Sequence, residues 1–153
     1  MRYTTAILII FFSVNLHASQ EAIMNEYQQE IMERRYSEAR ELWSKMVSAG
    51  FTETTVVALD FVYFSSSEND AQDLINQLSE NYTLELSPAD DPEYVLVKGT
   101  TRPYGNEFTH ERWQAWVEFM VSVGFSNNAV FSTWSVYSPK TKTTWSSESI
   151  EVH

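Results

Sequence analysis

The stretch TTVVALDFVYFSSSENDAQDLINQL, residues 54–78, decides the fold. Residues 54–64 are β-branched and aromatic on both alternating faces, as in a central strand buried over most of its surface. Asp60 alone interrupts this pattern, and an ionised carboxylate there is costly unless it is paired or hydrogen-bonded. Ser67 then stands as an N-cap with Asp70 at a capping-box spacing, Asp replacing the usual Glu. Ala71, Leu74, Ile75 and Leu78 follow at helical steps. A strand that runs through a short polar turn into an amphipathic helix is the first half of a β-α-β unit.

Toward the C-terminus, Tyr82, Leu84 and Leu86 alternate with Thr83, Glu85 and Ser87, which predicts a half-exposed strand. The turn PADDPE, residues 88–93, leads into a short apolar strand over 94–98. Residues 99–108, with Pro103 and Gly105, form a loop. Thr109 caps a second helix with Glu111 in its first turn; Trp113, Trp116, Val117, Met120 and Val121 make its apolar face, and Gly124 is expected to end it. A last strand covers 129–137, and the Ser/Thr-rich residues 139–153 are expected to be a tail that is mobile or packs late.

Toward the N-terminus, residues 19–49 hold no Gly or Pro, and Ile23, Tyr27, Ile31, Ala39, Leu42, Trp43 and Met46 recur at helical spacing. This is one helix or two in series, with Gly50 as the C-cap glycine. Residues 33–41, ERRYSEARE, are polar except for Tyr36 and Ala39, and Ser37 can cap a second helix there. The part over 19–36 reads as a helical arm with Glu26 and Glu30 on its solvated face.

The predicted fold class is therefore α+β: a ferredoxin-like βαββαβ sandwich with a four-stranded antiparallel sheet, both helices on one face, preceded by an N-terminal helix. That helix is expected to cover a sheet edge or part of the other face, which would explain why the first strand is apolar on both sides.

Length and composition narrow the function. With 153 residues, 43% hydrophobic and 14% aromatic, the chain buries a single core. Ten Lys and Arg against 21 Asp and Glu give a formal charge of −11, which opposes direct nucleic-acid binding and favours a basic protein partner. The absence of cysteine removes disulfides, thiolate metal sites and cysteine nucleophiles.

Residues 1–18, MRYTTAILIIFFSVNLHA, have one Arg near the start, an apolar run over 6–14 and a polar end at Ala18, the layout of a secretory signal peptide. The run is shorter than the ~20 residues that span a bilayer as a helix. Cleavage after Ala18 leaves 135 of the 153 residues, with no stable membrane span; the loss of Arg2 takes the formal charge from −11 to −12. The expected location is periplasmic or secreted.

No catalytic constellation, metal site or cofactor motif is legible. His110 has no second His or nucleophile nearby in sequence and reads as an exposed first-turn residue. Asp90 and Asp91, with Glu93, do not have the spacing of a calcium loop. Asp60 asks for a cation, and Arg102, Arg112 or an arginine of the N-terminal helix can supply it. Trp43, Trp113, Trp116 and Trp134 fall on helices or strands; Trp145 lies in the tail, as a latch or an interface anchor.

From about Glu38 to Tyr137 the chain resembles the family of the ribonuclease E inhibitor RraB, small acidic α+β proteins. The residues that carry this are LWSKMVSAGF, VALDFVYF, DDPEYVLVKG and Phe131-Ser132-Thr133-Trp134. The last of these is similar to a Tyr-Asp-Gly-Trp motif of the family, with Ser132 and Thr133 in place of its Asp and Gly. The resemblance implies an RraB-like domain over 37–138 and a non-catalytic protein that binds and modulates another protein. Asp60, Asp90, Asp91, Trp134 and Trp145 are the candidate partner-binding residues. Because ribonuclease E is cytoplasmic, the export signal turns the expectation to a different partner, such as a toxin that an immunity protein neutralises. Without that signal, ribonuclease E itself would be the expected partner. The expectation from another class is a periplasmic small-ligand or hydrolytic domain using Asp60 and His110, which requires the two to share one cavity.

Overall fold

The computed structural model describes the backbone of residues 6–150 and the side chains of residues 23–150, so the side chains of the expected export signal over 1–18 lie outside the described residues. The chain divides into two compact units, Met1–Glu33 and Arg34–His153. Helix α1, Ala6–Ser48, is continuous through Ser37, so no second helix starts there. Among the described residues no helix is long and apolar enough to cross a membrane. The second unit holds everything described below.

It is α+β, with one antiparallel five-stranded sheet. The elements are β1 (Ala58–Ser65), α2 (Glu68–Leu78), β2 (Thr83–Pro88), β3 (Val95–Thr100), α3 (His110–Ser126), β4 (Ala129–Ser138), β5 (Thr143–Ser146) and a 3-10 turn, Ser147–Ser149. The strand order is β2-β3-β1-β4-β5. The expected count of four strands is corrected to five: residues 143–146, expected in the tail, pair with Ser135–Ser138 of β4. Thr143, Thr144 and Trp145 are β-branched or aromatic, so the segment carries strand propensity that its Ser/Thr-rich surroundings conceal.

Local chemistry sets the element ends. Ser67 caps α2, its Oγ accepting the Asp70 N–H at 3.3 Å, and Thr109 caps α3, its Oγ1 accepting the Arg112 N–H at 3.2 Å. After α1, the Phe51 N–H reaches the Met46 carbonyl and the Gly50 N–H the Val47 carbonyl, both at 3.0 Å, and Gly50 sits at φ +91°. That is a Schellman stop, which needs a residue free to take positive φ. Gly124 plays no such part. It lies inside α3, which runs on to Ser126; a Cβ there would meet the Ala129 carbonyl and the Tyr63 ring, each at 2.9 Å. The glycine permits close helix–sheet contact and does not end the helix. Residues 54–57, expected in the first strand, precede it, with Val57 joined only to Asn106 by an isolated bridge.

The core lies between the sheet and the helices. Leu59, Phe61 and Tyr63 of β1 point toward it, with Val97 of β3 and Phe131, Trp134 and Val136 of β4. Tyr63 donates its hydroxyl to the Met120 carbonyl of α3 at 2.7 Å, Trp113 donates Nε1 to the Ala39 carbonyl of α1 at 3.0 Å, and Trp116 donates Nε1 to the Tyr82 hydroxyl at 3.0 Å. These bonds satisfy the polar tips of buried aromatics. They also place the α1 residues from Arg34 onward on the same face as α3. From Arg34 onward, α1 guards the β4 edge, as expected, but leaves the opposite face of the sheet uncovered. The apolar residues that β1 turns to that face have another cover: Phe64 meets Tyr94 edge-on at 5.6 Å.

Candidate functional site

Strand register builds the uncovered face in rows across the sheet. Thr83 of β2, Thr100 of β3, Asp60 of β1, Ser135 of β4 and Ser146 of β5 are successive partners, a carboxylate flanked by four hydroxyls. The next row runs Glu85, Lys98, Val62, Thr133, and the third Ser87, Leu96, Phe64, Val130. The first two rows line a concavity of about 460 Å³, with Glu148 at its rim. Sheet twist gives such a face its hollow.

Asp60 is the only acid on β1, and its environment answers the question the sequence raised. Arg102 donates Nη2 to Oδ2 at 2.8 Å and Nε to Oδ1 at 3.2 Å, and the Thr100 hydroxyl donates to Oδ1 at 2.6 Å. Partial burial pushes the Asp60 carboxyl up, but the hydrogen bonds from Arg102 and Thr100 and the arginine's charge outweigh it and hold the group below its ordinary value. Arg102 also lies over the Tyr137 ring, 4.5 Å from its centroid. Asp60 is thus an ionised, engaged carboxylate and not a poised base.

The other candidates separate. Trp134 is 2% exposed and stacks on Phe131 at 5.0 Å, so it is a core residue and not a surface anchor. Ser132 is the extra residue of a bulge, since Val62 pairs with Thr133 and Tyr63 with Phe131. The bulge turns two aromatics three residues apart onto one face, which simple alternation would place on opposite faces. Trp145 is half-buried in β5, opposite Val136. Asp90 and Asp91 sit in the exposed turn between β2 and β3, where Asp91 Oδ1 accepts the Glu93 N–H at 3.0 Å. His110 lies against Trp43, ring centroids 5.2 Å apart, and contacts Gln114 at 3.2 Å; it is absent from the lining of the Asp60 concavity. Among the described residues, Asp60 lies in the open-face concavity and His110 against Trp43, so the described cavities do not bring the two together as the joint site requires.

A site that sequence reasoning missed lies in the polar turn ERRYSEARE. Glu38 is 2% exposed and Arg35 7%. Arg35 Nη1 donates to both Glu38 oxygens at 2.9 and 2.7 Å, Arg34 Nε donates to Oε1 at 3.0 Å, and Arg35 Nε donates to the Phe131 carbonyl at 2.9 Å. The Arg35 guanidinium also stands 5.9 Å from the Trp134 ring centroid. On the same side of β4, the Ser147 Oγ accepts the Trp134 N–H at 3.0 Å. Strand β5 pairs only as far as Ser135, and beyond it these two side chains satisfy the β4 backbone in place of a strand. A cavity of about 400 Å³ remains there, lined by Arg34, Arg35, Glu38, Ser132, Thr133, Ser147, Glu148 and Ile150. The available signal was a helical segment polar except for Tyr36 and Ala39 that the flanking stripe carries onto the core.

No protein-family model matches the chain, and no curated protein matches it.

Proposed function

We propose that this chain is an exported, non-catalytic regulatory domain of RraB-like type, with a ferredoxin-like fold, whose uncovered sheet face docks a basic segment of a protein partner. The strand order β2-β3-β1-β4 within the five strands supports the fold assignment, and the resemblance over Glu38 to Tyr137 supports the style of action. Export rests on the layout of residues 1–18. The observation that carries the docking assignment is the face itself. Within the second unit the helices leave it bare, and it presents Asp60, Glu85 and Glu148 among hydroxyls, with Lys98 opposite Glu85 and Arg102 on Asp60, in a chain of formal charge −11. Exposed carboxylates amid hydrogen-bonding side chains suit lysine and arginine, and the overall field steers such a partner inward.

The test is an affinity capture from separate periplasmic and cytoplasmic fractions, followed by affinity measurement on the captured partner. Glu85→Lys with Glu148→Lys reverses two exposed charges and spares the engaged Asp60. The expected result is a periplasmic partner whose affinity falls with salt and falls at least ~10-fold in the double variant. A partner bound equally by the double variant, or insensitive to ionic strength, removes the face from the mechanism. Capture of ribonuclease E from intact cells overturns the export assignment.

A further inference from the structure

We infer that the cavity between α1, the β4 bulge and the Ser147–Ser149 turn is a binding site for a small monocarboxylate. Its lining is rich in unspent donors. Arg35, nine-tenths buried, uses Nε on the Phe131 carbonyl and Nη1 on Glu38, and its Nη2 donates to no group among the described residues. Arg34 spends only Nε, on Glu38. Ser132, Thr133 and Ser147 line the same space, and their hydroxyls donate to no acceptor among the described residues. The donors outnumber the acceptors, which is the composition of an anion site.

Charge sets the class of anion. Two guanidiniums converge on one buried carboxylate, Glu38, and with Glu148 also in the lining the two positive and two negative charges balance. A lining that is neutral overall accepts a single negative charge held on the guanidiniums more readily than a second one, which Glu148 would oppose. A dianion such as phosphate is therefore disfavoured, and a planar carboxylate that meets guanidinium edge-on is favoured. The volume, about 400 Å³, admits a small organic acid or a single amino acid and is too small for a folded partner. The sequence context agrees: Ser132 is the extra residue of the bulge, a device that re-aims side chains beside functional sites. The site adjoins the docking face, sharing Thr133 and Glu148 with its concavity, and does not require a macromolecular partner.

The experiment titrates the full chain with sodium acetate, and separately with inorganic phosphate, at constant ionic strength held with sodium chloride. The readout is tryptophan fluorescence, sensitive here because Trp134 lies against Arg35, backed by amide chemical shifts of Ser132 and Thr133. Acetate is expected to saturate with a dissociation constant on the order of 1 mM, a weak affinity suited to so small a ligand. Arg34→Gln and Ser132→Ala, neither of which removes a bond that holds the core, should each weaken it at least ~5-fold while near-ultraviolet circular dichroism stays unchanged. Arg35 is left intact because it also holds Glu38 and the β4 edge. No saturable response overturns the proposal, as does an acetate affinity unmoved in both variants. Phosphate binding as tightly as acetate overturns the monocarboxylate assignment.

Discussion

Glu38→Gln tests the buried charge cluster most directly. The glutamate is 2% exposed and its two oxygens accept three N–H bonds from Arg34 and Arg35, so the neutral amide leaves the Arg35 guanidinium desolvated without its counter-charge. Breaking a buried pair from one side costs about 3–5 kcal/mol. Against a typical total of about 5–15 kcal/mol, that is roughly a fifth of the stability or more. Urea unfolding followed by tryptophan fluorescence should show a lower midpoint with an unchanged slope, and the thermal midpoint should fall by roughly 10 °C or more. Arg34→Gln supplies the internal contrast: its side chain is 59% exposed, and loss of its single bond to Glu38 should cost less than about 1 kcal/mol. Replacing both partners, Arg35→Met with Glu38→Leu, should recover only part of the loss, because an apolar pair needs no counter-charge but leaves the Phe131 carbonyl without the Arg35 Nε donor. If Glu38→Gln costs no more than Arg34→Gln, water reaches the pair freely and the account of α1 as the cap on the β4 edge is wrong.

Gly99→Ala should destabilise by about 1–3 kcal/mol in the same urea assay, since its Cβ would run into the Phe61 ring and sit 2.9 Å from Leu84 Cδ2, and the Phe61 ring is hemmed in by Tyr63, Tyr82 and Trp116; a neutral substitution would show that the ring can move aside. Asp60 has its folded value held below the unfolded one, so its pairing with Arg102 stabilises the fold above the unfolded carboxylate value of ~3.9 and is lost as pH falls from there through the lower folded value. The thermal midpoints of wild type and Asp60→Asn should therefore differ at neutral pH and converge below about pH 4, and a gap that persists to the lowest pH refutes the linkage.

Much of the architecture was legible because its signals are local. Ser67 and Thr109 announce helix starts through the side-chain acceptor each offers to the N–H three residues on, and Gly50 announces a stop through a backbone conformation that a side chain opposes. What the sequence hid depends on partners distant along the chain. Gly124 looks like a helix end until Tyr63 and Ala129 are seen against it. Residues 143–146 look like a tail because a four-residue strand is too short for alternation to register, and only the exposed edge of β4 gives it a place.

The same distinction explains why the candidate sites shifted. Trp134 is a partner-binding candidate by its motif position, but the residue that decides its direction is Ser132: one extra residue in β4 exchanges inside for outside for everything that follows. ERRYSEARE reads as a polar interruption of the apolar stripe, where a second helix could start, because charge is normally the mark of solvent. Here a sheet edge requires donors, and arginine can satisfy a carbonyl, neutralise a glutamate and cover an indole at once, provided a carboxylate accompanies it at helical spacing. Arg35 and Glu38, three residues apart on one helix, meet that condition before any tertiary contact forms. A polar helical turn flanked by apolar ones, carrying Arg and Glu at such spacing, is therefore as consistent with the cap of an unfinished sheet edge as with solvent. The two are told apart by whether a neighbouring strand runs out of partners, as β4 does beyond Ser135.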